Sequence, residues 1–247
     1  MIYLVMKICE IKLKMFYIHN IMNTNVLGIV PLGGNATRMN HLPKFLLPCG
    51  VGLTLLDNII NIYQNNNINN IVAGVSDTNN YILQTNNNMK KVVVNTKTMA
   101  ETVNEIIINT NNKSTDYKNI LFMPDTFIKL NDEVEKMTEM LNTYDIVVMV
   151  WRIKDYQIGN VGQCKIENEE IVDVIDKDPN CKYLYFWGSI GWKSKLNKFI
   201  DPTWETIGNL IKKSIEMNIK VGTIICKNNY YDCGTYSEYF TMIKNET

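Results

Sequence analysis

The chain is poor in metal-binding side chains. It has two histidines, His19 and His41, and six cysteines, Cys9, Cys49, Cys164, Cys181, Cys226 and Cys233, with no C-x-x-C pair. Zinc ligands normally come as close His/Cys pairs, which disfavours a zinc site. Scattered cysteines of this kind read as reduced, mostly buried thiols of a cytoplasmic protein. No apolar run reaches the ~18 residues that a membrane-spanning helix needs. The apolar opening "MIYLVMKICEIKLKMFYIHNIM" is broken by Lys7, Glu10, Lys12 and Lys14. It therefore lacks the uninterrupted core of a signal peptide. Residues 1–24 read as an N-terminal extension, ordered or disordered, ahead of one domain over 25–247. There is no excess of either charge, since 25 Lys+Arg balance 25 Asp+Glu. A general nucleic-acid binder usually carries a basic excess. Neither nucleic acid nor a membrane is an expected partner, although a local phosphate site needs only a few cations in one cleft. Pro/Ser linkers and internal repeats are absent too. The asparagine clusters "QNNNINN" and "QTNNNMK" are short and sit between periodic apolar segments, unlike a low-complexity domain.

What is present is an ordinary globular mix of 46% hydrophobic and 20% charged residues over 247 positions, enough to bury one large core. "NVLGIVPL", "NNIVAGVS", "KKVVVNT", "NILFMPD" and "YDIVVMVWR" read as strands. "TLLDNIINIYQNN" puts Leu55, Leu56, Ile59, Ile60 and Tyr63 on one helical face. "TMAETVNEIIINT" and "DEVEKMTEMLN" are further helices, the first with Thr98 and Glu101 in capping-box spacing. Alternating strands and helices predict an α/β fold with a largely parallel sheet covered on both faces. After Arg152 the pattern changes. "VGQCKIENEEIVDVID" predicts a hairpin turning at "ENEE", and "KYLYFWGSIGW" and "IKVGTIIC" two more strands. "DPTWETIGNLIKKSIEMN" predicts a helix with Pro202 in its first turn. "TYSEYFTMIKN" predicts a last helix capped by Thr235. The second half thus adds antiparallel strands to the same domain.

Ligands of open α/β sheets bind outside the carboxyl ends of the strands. Three segments put polar groups there. In "PLGGNATRMNHLPKFLLP", Gly33 and Gly34 let backbone N–H groups approach a phosphate, and Arg38 and Lys44 can neutralise its charge. The stretch is neither a P-loop nor G-x-G-x-x-G, and a glycine turn beside two solvated cations is the competing reading. In "LFMPDTF", Asp125 lies just past a buried strand, placed to hold Mg²⁺ on a nucleotide phosphate or simply to cap the next turn. In "NNYYDCGTYSEYF", Asp232 offers a second carboxylate, or stabilises the turn into the last helix.

Taken in order, these residues resemble the nucleotidyltransferases that make nucleotide sugars from an NTP and a sugar 1-phosphate. The family signature, roughly L-A-G-G-x-G-T-R-[ML] and then P-K-x-L-[LI]-P, is matched by "PLGGNATRM" and "PKFLLP". "GQCKIENEEIVDVIDKDP" resembles the family hairpin that ends in Glu-Lys-Pro, and "YFWGSIGW" the strand that lines the sugar pocket. The resemblance covers nearly everything from Val26 to Phe240. It implies a Rossmann-like three-layer αβα sandwich with a mostly parallel mixed sheet, of the nucleotide-diphospho-sugar transferase (GT-A-like) type.

The resemblance also implies roles. Arg38 and Lys44 would be catalytic. Leu32, Gly33, Gly34, Thr37, Thr98, Met99 and Ala100 would bind the nucleotide. Lys177, Trp187 and Gly188 would bind the acceptor, and Asp125 and Asp232 would hold Mg²⁺. The partners would be an NTP and a phosphorylated small molecule such as a sugar 1-phosphate; oligomeric state stays open. Glu101 reads first as a capping residue, and Trp187 as core or stacking platform. Three departures stand out: Ala36 replaces a family glycine, the interval between Arg38 and Pro43 is short, and Asp176-Lys177-Asp178-Pro179 replaces Glu-Lys-Pro. The short interval resembles compact relatives that transfer CMP or GMP to non-sugar phosphates, which keeps in view a compact cytidylyltransferase for a polyol or choline-type phosphate. Ala36 keeps in view a non-catalytic nucleotide-sugar-binding relative. A glycosyltransferase ranks last, because "MPDTF" has no D-x-D pair.

Overall fold

The computed structural model describes residues 25–34, 42–83, 88–110 and 117–246. The expected extension over 1–24 lies outside them, as do Ala36, Thr37 and Arg38 of the opening loop.

The apolar run before the glycines forms β1 (Val26–Leu32). Val26, Val30 and Leu32 enter one hydrophobic core and Leu27 and Ile29 another. A strand buried on both faces has no need of polar alternation, which explains its continuous apolar sequence. A short hairpin, β2 (Pro48–Gly50) and β3 (Leu53–Thr54), leads into α1 (Leu55–Asn65). Thr54 and Asp57 form a reciprocal capping box at its start, and the predicted face of Leu55, Leu56, Ile59, Ile60 and Tyr63 is buried.

Then follow β4 (Ile71–Val75), α2 (Asp77–Ile82), β5 (Lys90–Val93), α3 (Met99–Asn109), β6 (Lys118–Phe122), β7 (Thr126–Ile128), α4 (Glu133–Thr143) and β8 (Ile146–Arg152). The second half holds β9 (Gly162–Glu167), β10 (Glu170–Asp176), β11 (Tyr185–Lys193), α5 (Asn209–Glu216), β12 (Val221–Ile225), β13 (Tyr230–Asp232) and α6 (Tyr236–Glu246).

Nine strands make one mixed sheet in the order β5-β4-β1-β6-β11-β8-β12-β10-β9. The first four are mutually parallel. β11 runs antiparallel between β6 and β8, β12 is parallel to β8, and the β9–β10 hairpin closes the far side. By these pairings seven strands point one way, and only β10 and β11 oppose them. The hairpin turns at Asn168 and Glu169, both with positive φ, as "ENEE" predicts.

α1 and α4 pack on one core, through Ile59, Ile60, Met137 and Leu141. α3 and α5 pack on the other, through Val103, Ile106, Leu210 and Ile211. Tyr63 ties the first set to the sheet: its hydroxyl lies 2.9 Å from the Ile29 carbonyl and 2.8 Å from that of Ile120, joining β1 to β6. The described cysteines, Cys49, Cys164, Cys181, Cys226 and Cys233, are free and buried. No helix among the described residues is long and apolar enough to cross a membrane.

One predicted element changes. The helix expected from Pro202 begins only at Asn209. Ahead of it, Asp201 accepts bonds from the Thr203 N–H and hydroxyl, and the Thr206 hydroxyl accepts from the Gly208 N–H. Such local side-chain bonds compete with the helical ladder. Ile207 is fully buried all the same, so the apolar spacing reflected burial on both sides of the helix start. Other elements were not anticipated: α2, hidden in an Asn-rich stretch, the β2–β3 hairpin and the β7–β13 pair.

Candidate active site

The β7–β13 pair assembles the site. Its register sets Tyr230 opposite Ile128, Tyr231 opposite Phe127 and Asp232 opposite Thr126. The next rung is a bond from the Cys233 N–H to the Asp125 carbonyl at 2.9 Å. Two aspartates far apart in the chain are thereby neighbours across one short ladder. Behind it, Leu47, Cys49, Phe127, Tyr231, Cys233 and Met242 form a small core that anchors the ladder to the β2–β3 hairpin and α6.

Lys44 completes the group. It opens a single 3₁₀ turn, Lys44–Leu46, just after Pro43. Its Nζ lies 3.4 Å from Asp125 Oδ2, with side-chain exposures of 15% and 25%. The Gly234 N–H donates to Asp232 Oδ1 at 3.0 Å. Burial and the nearby charges of Asp125 and Glu238 push the Asp232 carboxyl up to about 7, against the downward pull of Lys44 and the Gly234 N–H. Two carboxylates in a partly desolvated site with one close lysine leave negative charge to be neutralised. Hard oxygen donors in that number suit Mg²⁺, which is commonly held by one or two carboxylates plus substrate phosphates and water. No group of three or more His, Cys, Asp or Glu side chains able to hold a metal occurs among the described residues. Asp125 and Asp232 would therefore be the described chain's whole contribution to that ion.

A cleft of about 200 Å³ opens on the Asp125 side, at the end of β1. Gly33, Gly34, Thr98, Met99 and Asp125 line it, together with Pro31, Thr96, Lys97, Thr102 and Met123. Gly33 sits directly under α3: a Cβ there would lie 2.9 Å from Thr102 Oγ1 and 3.1 Å from Thr96 Oγ1, two hydroxyls bonded to each other at 2.6 Å. Gly34 faces open space. Thr98 caps α3, accepting from the Glu101 N–H at 3.1 Å. The Glu101 carboxylate accepts from the Lys97 N–H, one residue earlier than a capping box requires. Leu32 and Ala100 are buried and do not line the cleft; the Leu32 carbonyl accepts from the Asn79 side chain at 2.6 Å.

A second cleft, about 240 Å³, opens on the Asp232 side and shares Met99 and Met123 with the first. Lys177 and Trp187 line it, beside Asp176, Glu205, Thr206 and Tyr230. Lys177 has a left-handed backbone, φ 51°, just past β10, and its ammonium lies 3.6 Å from Glu205. Trp187 is wedged between two glycines. A Cβ on Gly162 would collide with its Nε1, and one on Gly208 would lie 2.6 Å from its Cζ2. Gly188 does not line the cleft: it sits where β11 bulges, and a Cβ there would run into Tyr230 and Trp151.

The irregular segment 201–208 joins the two clefts. Thr98 Oγ1 donates to the Pro202 carbonyl at 3.0 Å, and the Met99 N–H donates to the Glu205 carbonyl at 3.2 Å. Glu205, Thr206, Met123 and Tyr230 were not singled out from the sequence. The first two were hidden inside a helix-like apolar spacing, Met123 and Tyr230 inside apolar strands.

No family model matches the chain, and no curated protein matches it. Solved structures do. A putative glucose-1-phosphate thymidylyltransferase from Bacillus anthracis, in complex with a sucrose, superposes with a TM-score of 0.75 at 15% identity, over 89% of this chain and 94% of that one. A UTP-bound UGPase from Acinetobacter baumannii gives 0.72 at 14% identity, over 88% and 92%. A UDP-glucose pyrophosphorylase complexed with UDP-glucose gives 0.71 at 13% identity, over 88% and 97%. At such low identity the likeness is one of fold: the chain has the mixed α/β fold of sugar-1-phosphate nucleotidyltransferases.

Proposed function

We propose that this protein is a cytoplasmic enzyme that joins a nucleoside triphosphate to a sugar 1-phosphate, giving a nucleotide sugar and pyrophosphate. The observation that carries this reading is the β7–β13 ladder, which sets Asp125 and Asp232 side by side where the two clefts meet. The helix pairs α1/α4 and α3/α5 on separate cores support reading the sheet as the middle of a Rossmann-like αβα sandwich of GT-A-like type.

The acceptor's phosphate oxygen would attack the α-phosphorus in line. One P–O bond forms as the bridge to the β-phosphate breaks, and pyrophosphate leaves. A phosphate is already ionised near pH 7, so positioning and charge neutralisation carry the reaction and no general base is required. Lys177 would hold the attacking phosphate, exchanging its contact with Glu205 for one with the substrate. Lys44 would neutralise charge on the α-phosphoryl group. Gly33 and Gly34 would present backbone N–H groups, and the α3 start at Thr98 and Met99 would lie by the base. Thr37 and Arg38 would complete the phosphate grip. Trp187 would give the sugar an apolar face. Asp125 and Asp232 would hold Mg²⁺, which supplies further neutralisation of the phosphate oxygens when bound.

A second reading, a cytidylyltransferase for a choline-type phosphate, is favoured by one feature. The acceptor cleft sets carboxylates, Asp176 and Glu205, beside Trp187 and Tyr230, a chemistry that also suits an ammonium group. Pyrophosphate release from a panel of NTPs and acceptors with Mg²⁺ separates the two. Turnover with a sugar 1-phosphate supports the first and turnover only with phosphocholine the second. Absence of release from every pair would reject both.

A further inference from the structure

A third cavity, of about 200 Å³, lies at the carboxyl ends of β8 and β12. Arg152, Lys154 and Lys227 line it, and no carboxylate does among the described residues. Arg152 and Lys227 are exposed and have no ion-pair partner among the described residues, whereas many other lysines are paired. The Lys154 ammonium lies 5.1 Å from the centre of the Tyr231 ring. Glu246, which accepts from the lining Asn229 side chain, is already paired with Lys129 at 2.7 Å. Three like charges around one cavity repel each other unless an anion lies between them. A guanidinium fork with two ammonium groups matches phosphate oxygens in geometry as well as charge. The volume is below the range usual for whole drug-sized ligands, and suits a phosphate or pyrophosphate group.

The cavity backs onto the acceptor cleft, with Phe186 and Tyr230 lining both. Tyr230 packs against Trp151 and Phe186 with ring centres 4.9 and 5.1 Å away. Trp151 also lines the cavity; it is 3% exposed, and its indole N–H has no hydrogen-bond partner among the described residues.

We propose that this cavity is a second binding site, for a small phosphate-bearing anion, distinct from the nucleotide and acceptor clefts. The site stands whether or not the nucleotidyl-transfer reading holds, because its test is a binding measurement. Calorimetric titration without divalent cations would use inorganic phosphate, pyrophosphate and glycerol 3-phosphate in turn; the tightest probe names the source of the phosphate group. The full chain carrying Lys44→Ala and Lys177→Ala should keep one saturable site. Adding Arg152→Ala and Lys227→Ala should weaken it at least tenfold, with an unchanged melting temperature. In the otherwise native chain, Arg152→Gln with Lys227→Gln should remove one class of sites while turnover without added anion stays the same. No saturable binding in the Lys44/Lys177 variant, or equal affinity after the Arg152 and Lys227 changes, would overturn the proposal.

Discussion

The two halves of the sheet build their parts of the site by different means. In the parallel half, β5-β4-β1-β6, each polar group follows directly from a strand or helix end: Gly33 after β1, Thr98 at the start of α3, Asp125 just past β6. In the other half the site is made by departures from regular structure. β11 runs against its neighbours, Lys177 takes a left-handed backbone, and 201–208 refuses the helix its spacing suggests. In the proposed reaction the first half would fix the phosphates through backbone geometry. The second half shapes a pocket through side chains, with Trp187 held between Gly162 and Gly208. A difference of this kind predicts that the halves can be broken separately, with only the β7–β13 ladder common to both.

The largest effect belongs to that common part. Asp125→Ala and Asp232→Ala should each lower pyrophosphate release by on the order of 10³-fold. The double variant should be little worse than either single, because the two act as a unit. Additive losses would mean that they serve separate purposes. Lys44→Ala should follow with a loss in kcat on the order of 10²-fold; an unchanged rate would return the opening stretch to a plain glycine turn. Lys177→Ala should raise KM for the acceptor about tenfold and leave KM for the NTP alone, as losing a charged hydrogen bond worth roughly 1.5 kcal/mol requires. If both constants moved together, the clefts would not be independent.

A pH series probes the same ladder without substrate. The Asp232 carboxyl is raised in the folded chain, to about 7 from 3.8, by burial and then by Asp125 and Glu238. The folded state therefore binds this proton more tightly than the unfolded chain. The stability it contributes is fully present below the unfolded value and is lost as pH rises through about 7. In metal-free buffer the melting temperature should decline across that window. Asp232→Asn should flatten the decline, and Mg²⁺ should restore stability on its alkaline side. A variant as pH-sensitive as the native chain would assign the effect to other groups. The smallest effect is expected at the α3 cap. Thr98→Ala should cost about 1 kcal/mol, or about 2–4 °C in melting temperature for a domain of this size. A larger loss would show that the bond from Thr98 to Pro202 matters more than the cap.

The same contrast explains how much could be read from the chain itself. β1, α1, α3, β6 and the β9–β10 hairpin were legible, because apolar runs, capping residues and turn residues are local signals. The contact that requires Gly33, from Thr96 and Thr102, carries no local signal in the sequence. The ladder was not legible. β7 and β13 are three residues each, and their pairing joins segments about a hundred positions apart. No short-range pattern encodes such a register. Segment 201–208 was misread for a different reason. Trp204 and Ile207 repeat at helical spacing because both face the core that holds α5, while Asp201, Thr203 and Thr206 supply bonds that keep the backbone from coiling. Ala100 and Gly188, binding residues that the resemblance implied, are buried and do not line the clefts, each one position from a lining residue, Met99 and Trp187.

In the proposed site one ion would be held jointly by carboxylates from the two halves. Counting Mn²⁺ bound per chain by electron paramagnetic resonance, with a non-hydrolysable NTP analogue present, tests it most directly. The native chain should hold one tightly bound ion and lose it in both Asp125→Ala and Asp232→Ala. Undiminished Mn²⁺ binding in either variant would contradict it.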